Sequence, residues 1–92
     1  MLFMVTETFR NRGVKAVRER FSLRGRMLHD GVIYHASWMD MRRMRCFQVM
    51  EAADLPLLRE WIRQWEDLVD FQVILVGIWA KFWSKDRESP MA

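Results

Sequence analysis

The 92-residue chain contains one cysteine, two prolines and four glycines, and these low counts exclude several classes of protein. A single thiol, Cys46, cannot form a disulfide within the chain, and low cysteine usage is typical of a reducing compartment. The low content of proline and glycine, together with 51% hydrophobic residues, indicates a globular domain rather than a disordered or fibrous segment. We therefore expect one cytoplasmic folded domain.

Long apolar runs are also missing. The longest run extends from Val73 to Ala80, whereas about 20 apolar residues are needed to cross a bilayer. The first residues, MLFMVTETF, carry neither a basic region nor a small-residue cleavage site, so we predict no signal peptide. These features predict a protein without a membrane association.

The chain lacks the residue spacings of common catalytic and metal centres. Two histidines and one cysteine form no pair at metal-ligand spacing, so we expect no metal site and no cofactor. The four glycines are too scattered for a phosphate-binding loop, and no Ser-His-Asp arrangement can be argued. Motifs therefore assign no catalytic residue, and whether the protein is an enzyme is left open.

What the sequence does contain is an alternation of strand and helix patterns. Four segments have the apolar, β-rich composition of strands: residues 1–9, Val32–Met39, Arg43–Glu51 and Phe71–Trp79. Two amphipathic segments predict helices: Val14–Leu28, stopped by His29-Asp30-Gly31, and a second one from Asp54-Leu55-Pro56 to about Val69.

The order βαββαβ predicts a ferredoxin-like α+β fold, with a four-stranded antiparallel sheet and both helices on one face. We expect residues 1–80 to form this domain and residues 81–92 to be a polar tail that frays or packs on a partner.

The charges are segregated along the chain. Segment 10–26 has seven basic residues and one acid, whereas segment 51–70 has six acids and two arginines. Adjacent helices would neutralise these charges, which we favour over a basic face for a polyanion.

The sheet is apolar on both faces, although helices can cover only one. Neither Leu2-Phe3-Met4-Val5 nor Val73-Ile74-Leu75-Val76 shows the polar alternation of a strand with one wetted face. An uncovered apolar sheet face is larger than a soluble monomer normally exposes. We therefore expect a homodimer through this face, of the dimeric α/β-barrel type.

Four blocks of the sequence resemble a known bacterial family of domains of unknown function: MLFMVTETFRNR, GVIYHASW, RCFQVME and EWIRQWEDLVDFQV. The resemblance covers residues 1 to about 76 and implies a fold similar to the dimeric α/β-barrel ferredoxin-like proteins. That wider group includes small monooxygenases, isomerases, dyp-type peroxidases and stress-response binders, with sites in the cleft between paired sheets. A shared fold implies no particular chemistry.

The candidate site follows from an assumed strand register, in which Glu7 lies opposite Arg45 as an ion pair at the sheet rim. This register sets Thr6, Cys46 and Gln48 on the face toward the inter-sheet cleft. From the second strand, His35 and Ser37 would join the same face, and Trp38 would reach the pocket if the hairpin slips by one residue. A buried amide such as Gln48 must find hydrogen-bond partners, which a ligand or a second copy could supply.

Three functions remain open on these observations. The first is a dimer that binds a small molecule between its sheets. The second is a cofactor-independent monooxygenase or isomerase, with His35 as the only plausible general base, and the third is an interaction module without a pocket. Nucleic acid is a weaker prediction, because the RNA-recognition module needs stacking aromatics and the third strand offers only Phe47.

Overall fold

The computed structural model describes residues 1–10, 13–42, 44–78 and 80. Six elements follow the predicted βαββαβ order: β1 (Leu2–Phe9), α1 (Val14–Arg24), β2 (Ile33–Asp40), β3 (Arg45–Glu51), α2 (Leu55–Ile62) and β4 (Val69–Val76). The strands form one antiparallel sheet in the order β2-β3-β1-β4. This confirms the ferredoxin-like α+β prediction. The predicted tail lies outside the described residues.

The core lies between the helices and one face of the sheet. Alternate residues of the two central strands point toward the helices, and α2 places Leu58 and Trp61 against them. The Trp61 ring meets Phe71 of β4 edge-on, with 5.9 Å between the ring centroids. Trp65, which follows α2, is also buried, so both tryptophans of the second helical segment serve the core as their spacing suggests. We call the opposite, uncovered side of the sheet the open face.

Helix α1 is shorter than its sequence pattern predicts, since it ends at Arg24 rather than Leu28. Gly25 follows with φ +64°, a conformation that costs glycine little and other residues more. Its N–H donates to the Phe21 carbonyl oxygen at 2.7 Å and closes the last turn. The prediction of a stop at His29-Asp30-Gly31 was therefore too late by one helical turn.

Helix α2 also ends early, at Ile62 rather than near Val69. Asp54 caps its start as predicted, because its side-chain oxygen accepts a hydrogen bond from the Leu57 N–H at 2.9 Å. Residues 63–68 continue as tight turns with bonds from residue i+3 to residue i, such as Leu68 N–H to the Trp65 carbonyl at 3.0 Å. These turns let β4 begin at Val69, two residues before the predicted start.

Two ion pairs join the basic and acidic segments. Arg20 of α1 binds Asp67 through both guanidinium Nη atoms, at 2.7 and 2.6 Å, and Arg10 donates to Asp70 at 2.7 Å. The predicted neutralisation between segments is thus present at these contacts. The pKa of Asp67 is lowered, first by its hydrogen bond from Arg20.

Candidate functional site

The pairing of β1 with β3 differs by one residue from the assumed register. Glu7 lies opposite Cys46, and Val5 lies opposite Gln48. Because side chains alternate between faces along a strand, a shift of one residue moves each of them to the other face. Cys46 and Gln48 therefore lie under the helices beside Glu7, not on the open face. The predicted ion pair between Glu7 and Arg45 is wrong as well.

Arg45 instead binds Asp40 across the hairpin, with its Nη2 2.9 Å from the carboxylate oxygen. This pair lies at the end of the β2–β3 hairpin, where the two residues are register partners. The arginine guanidinium carbon is also 5.3 Å from the centroid of the Phe47 ring. Arg45 therefore binds within the hairpin, and among the residues that the structure describes Glu7 forms no salt bridge.

A β-bulge in β2 separates the three predicted residues of that strand. The register shifts between Tyr34 and Ala36, so Tyr34 and Ser37 face the helices together. The Tyr34 hydroxyl and Ser37 Oγ are 2.7 Å apart. His35 bonds instead to Glu51 Oε1 at 2.8 Å, on the open face.

The six predicted site residues are therefore divided between the two faces of the sheet. Ser37, Cys46 and Gln48 border one cavity beneath the helices. Thr6 and His35 do not border that cavity, since they belong to the open face. Trp38 is 58% exposed and stands at the cavity's edge.

The cavity that joins three of these residues has a volume of about 230 Å³. It lies between α1, helix α2 with the turns that follow it, and strands β1, β2 and β3. Its polar lining comes from four side chains: Glu7, Arg26, Ser37 and Gln48. Its apolar lining includes Trp61 and Trp65. We call this cavity the Glu7 pocket. A concave apolar site with few convergent polar groups is the usual form of a small-ligand site.

Two buried polar side chains meet in the Glu7 pocket. Glu7 is 8% exposed and Gln48 is 3% exposed, and Gln48 Nε2 donates a hydrogen bond to the Glu7 carboxylate. Among the described residues, none donates to Gln48 Oε1, which is fully removed from solvent. A buried acceptor without a donor is costly, so this oxygen is an incomplete hydrogen-bonding group at the wall of a cavity.

The protonation of Glu7 is perturbed by this environment. Burial raises the pKa of Glu7 from 4.5 to about 7, while the charge of Arg26 and the hydrogen bond from Gln48 oppose the rise. The pKa of the neighbouring Cys46 thiol is raised to about 11, first by burial and then by the charge of Glu7. Cys46 is thus a neutral thiol near pH 7, whereas Glu7 exchanges its proton in that range.

Arg26 is fixed in place by its backbone. Its carbonyl oxygen accepts hydrogen bonds from the indole N–H groups of Trp61, at 2.9 Å, and Trp65, at 3.1 Å. Its guanidinium carbon lies 3.6 Å from the centroid of the Tyr34 ring, in a cation–π contact. In the part of the chain that the structure describes, no carboxylate forms a salt bridge with Arg26. The pocket therefore contains a positioned cation and a buried acid that do not neutralise each other by contact.

Two larger surface grooves have a weaker case as functional sites. One, of about 600 Å³, runs along α2 and β4 and contains Arg10 and Asp70, which already bind each other. The other, of about 460 Å³, lies between α1 and the turns after α2 and contains Arg20, which is bound to Asp67. Neither groove borders the buried, unpartnered amide oxygen, so volume alone does not identify the site.

Sequence reasoning missed Glu7 and Arg26 as members of the site. Glu7 was assigned to the sheet rim because the assumed register set it opposite Arg45 as an ion pair. The available signal was its position in an otherwise apolar central strand, two residues after Val5 and in phase with Phe3. Arg26 carried no comparable signal, because it is one of many basic residues in its segment.

The fold and the Glu7 pocket define a ferredoxin-like α+β domain with a cavity between its helices and its sheet, lined by apolar side chains and a few polar ones. A family model described as "Domain of unknown function (DUF3303)" matches residues 1–84, and the chain belongs to that family. This confirms the predicted membership of a family of domains of unknown function. No curated protein and no solved structure matches the chain.

Two further findings concern sites of other kinds. Within the described ranges, no group of three or more His, Cys, Asp or Glu side chains is arranged to hold a metal ion. Across the same ranges, none of the helices has the length and apolar character needed to cross a membrane.

Proposed function

We propose that this domain binds a small molecule in the Glu7 pocket. The observation that carries the proposal is Gln48 Oε1, a buried acceptor without a donor among the described residues, at the wall of a 230 Å³ cavity. A ligand that donates a hydrogen bond to this oxygen removes the cost of leaving it unpaired. The site lies under the helices, and thus differs from the expected cleft between paired sheets.

The lining defines the kind of ligand. Trp61 and Trp65 offer aromatic surface, and Glu7 and Gln48 offer acceptor oxygens. A small flat molecule with an apolar body and one N–H or O–H donor satisfies both requirements.

Phenol and benzene form a matched pair of probes for this proposal, since they differ by one hydroxyl group. Binding is followed by amide chemical shifts in ¹H–¹⁵N spectra of the labelled protein. We expect phenol to shift the signals of Glu7, Cys46 and Gln48 and to bind about tenfold more tightly than benzene, the value of one hydrogen bond. The variant Gln48→Met should remove this preference, because it keeps the side-chain size and deletes the amide.

Gln64→Met serves as the control, because Gln64 is exposed and does not border the pocket. It should keep the preference for phenol. Equal affinities for phenol and benzene, or shifts confined to another part of the chain, contradict the proposal.

We also propose that the open face binds a second copy of the chain. Its strands present apolar side chains to solvent, among them Ile33 at 51%, Trp38 at 58% and Ile74 at 49% exposure. Four strands of seven or eight residues form a face of roughly 20 by 25 Å. Two such faces bury on the order of 1,000 Å², the lower limit of specific interfaces.

The oligomeric state tests this second proposal. Light scattering at micromolar concentration should give twice the 11.2 kDa mass of one chain. Ile74→Lys should yield monomers, because it places a charge in the apolar face. Leu23→Lys, at an 85% exposed position on α1, should stay dimeric. A wild-type species of one chain mass refutes the dimer and leaves the pocket proposal intact.

A further inference from the structure

We infer that Glu7 is a general base and that the Glu7 pocket abstracts a proton from a small carbonyl compound whose oxygen faces Arg26. The inference rests on the proposed ligand pocket and adds chemistry to it. The substrate class is a flat carbonyl compound with a hydrogen on the carbon next to the carbonyl group. The reaction class is isomerisation through an enolate.

The step needs no other reactant. The Glu7 carboxylate takes the proton, and the electron pair of the C–H bond becomes the carbon–carbon double bond of the enolate. The carbonyl π pair moves to oxygen, and the positive charge of the Arg26 guanidinium stabilises the negative charge that forms there. The protonated Glu7 then returns its proton to another carbon of the conjugated system, which gives the isomer and restores the carboxylate.

The geometry supplies the base. Glu7 is buried at 8% exposure, and its carboxylate is held by Gln48 Nε2 at the wall of a cavity large enough for a small substrate. A carboxylate removed from water is a stronger base toward carbon acids than a hydrated one, because its charge is less stabilised. A base positioned in a cavity typically contributes a factor of about 10² to 10⁴.

The geometry also supplies the electrophilic group. The Arg26 carbonyl is clamped by two indole N–H groups, so the backbone cannot shift freely when the side chain meets a ligand. The guanidinium lies on the Tyr34 ring and has no salt-bridge partner within the described residues. It can therefore approach a developing oxyanion without first breaking an ion pair.

The groups around Glu7 determine when it is charged. Strand β3 contributes the Cys46 thiol, and the segment after α1 contributes the Arg26 guanidinium. Strand β4 sets Phe71 opposite Glu7, and α2 sets Trp61 into the pocket, and neither of these two carries a charge. Burial outweighs the Arg26 charge and raises the pKa of Glu7 to about 7, so the base is mostly ionised by pH 8.

Kemp elimination of 5-nitrobenzisoxazole tests the base directly. The base removes the ring C–H proton, the C–H pair forms the nitrile, and the N–O bond breaks to release a coloured phenolate. We expect turnover above the solution reaction, with a rate that rises with pH and levels off above an apparent pKa near 7. Glu7→Gln should lower the rate by about 100-fold or more, and Glu66→Gln, at an exposed position outside the pocket, should not change it.

Glu7→Asp provides a second variant, since it keeps the acid and moves it away from the cavity. It should retain a pH-dependent rate between those of wild type and Glu7→Gln. Binding of the same probe is measured by amide shifts. Binding without turnover above Glu7→Gln, or turnover without the pH dependence, refutes the base and leaves the ligand pocket standing. If neither this probe nor phenol shifts the pocket signals, both proposals fail.

Discussion

The burial of Glu7 predicts a stability that falls as pH rises through neutrality. The pKa of Glu7 rises from 4.5 in the unfolded chain to about 7 in the folded one, so the folded state holds the proton more tightly. The stabilising contribution of protonated Glu7 is therefore complete below pH 4.5 and is lost as pH rises through about 7. Because one pKa unit corresponds to about 1.4 kcal/mol, the loss between pH 4 and pH 8 is about 3 kcal/mol.

Glu7→Gln isolates this effect, because glutamine has nearly the same shape and does not titrate. Urea unfolding followed by tryptophan fluorescence gives the free energy of unfolding at each pH, at one fixed protein concentration. The difference between Glu7→Gln and wild type should grow by about 3 kcal/mol from pH 4 to pH 8, in favour of the variant.

Glu66→Gln removes an exposed carboxylate and is the matched control. Its difference from wild type should stay nearly constant with pH. A constant difference for Glu7→Gln as well would show that the Glu7 carboxylate is hydrated in the folded protein. The Glu7 pocket would then not be a desolvated site for this carboxylate.

Three further predictions concern single positions. Asp54→Ala should lower the free energy of unfolding by about 1 kcal/mol in urea titrations, since it removes the cap on α2, and Asp54→Ser should restore most of it. Gly25→Ala should cost about 1 kcal/mol in the same assay because of its φ of +64°, although nothing lies within 4 Å of the added methyl group. The Cys46 thiol, with its pKa raised to about 11, should react slowly with iodoacetamide at pH 8 and rapidly in urea, and equal rates would contradict its burial.

The element order was predictable because each segment carries its own local signal. Asp54 and Pro56 mark the start of α2, and the apolar stripe through Trp61 marks its buried face. The helix ends were less predictable, because they depend on tertiary contacts. In the sequence, Trp65 continues the apolar stripe of the helix. In the structure its indole N–H donates to the Arg26 carbonyl, and the backbone around it forms tight turns that lead into β4.

The register of β1 against β3 could not be predicted for a physical reason. Alternation fixes a register only when one face of a strand is polar. Leu2 to Val5 is apolar at every position, and the polar residues Thr6, Glu7 and Thr8 fall on both faces of the strand. The assumed pairing of Glu7 with Arg45 then placed Gln48 and Cys46 on the open face, whereas Glu7 lies opposite Cys46. The β-bulge at His35 could not be predicted from the sequence either, because no glycine stands at that position to indicate it.

The wrong register and the candidate site both involve Glu7, which was expected in an ion pair at the sheet rim and is buried instead. An apolar residue in place of Glu7 would carry no titratable group, but it would leave the buried Gln48 Nε2 without its acceptor. At neutral pH the glutamate instead costs stability, because its ionised form is poorly solvated in the pocket. A carboxylate at this position is what the proposed ligand binding or proton transfer requires. Glu7 is for that reason the first residue of this domain to mutate.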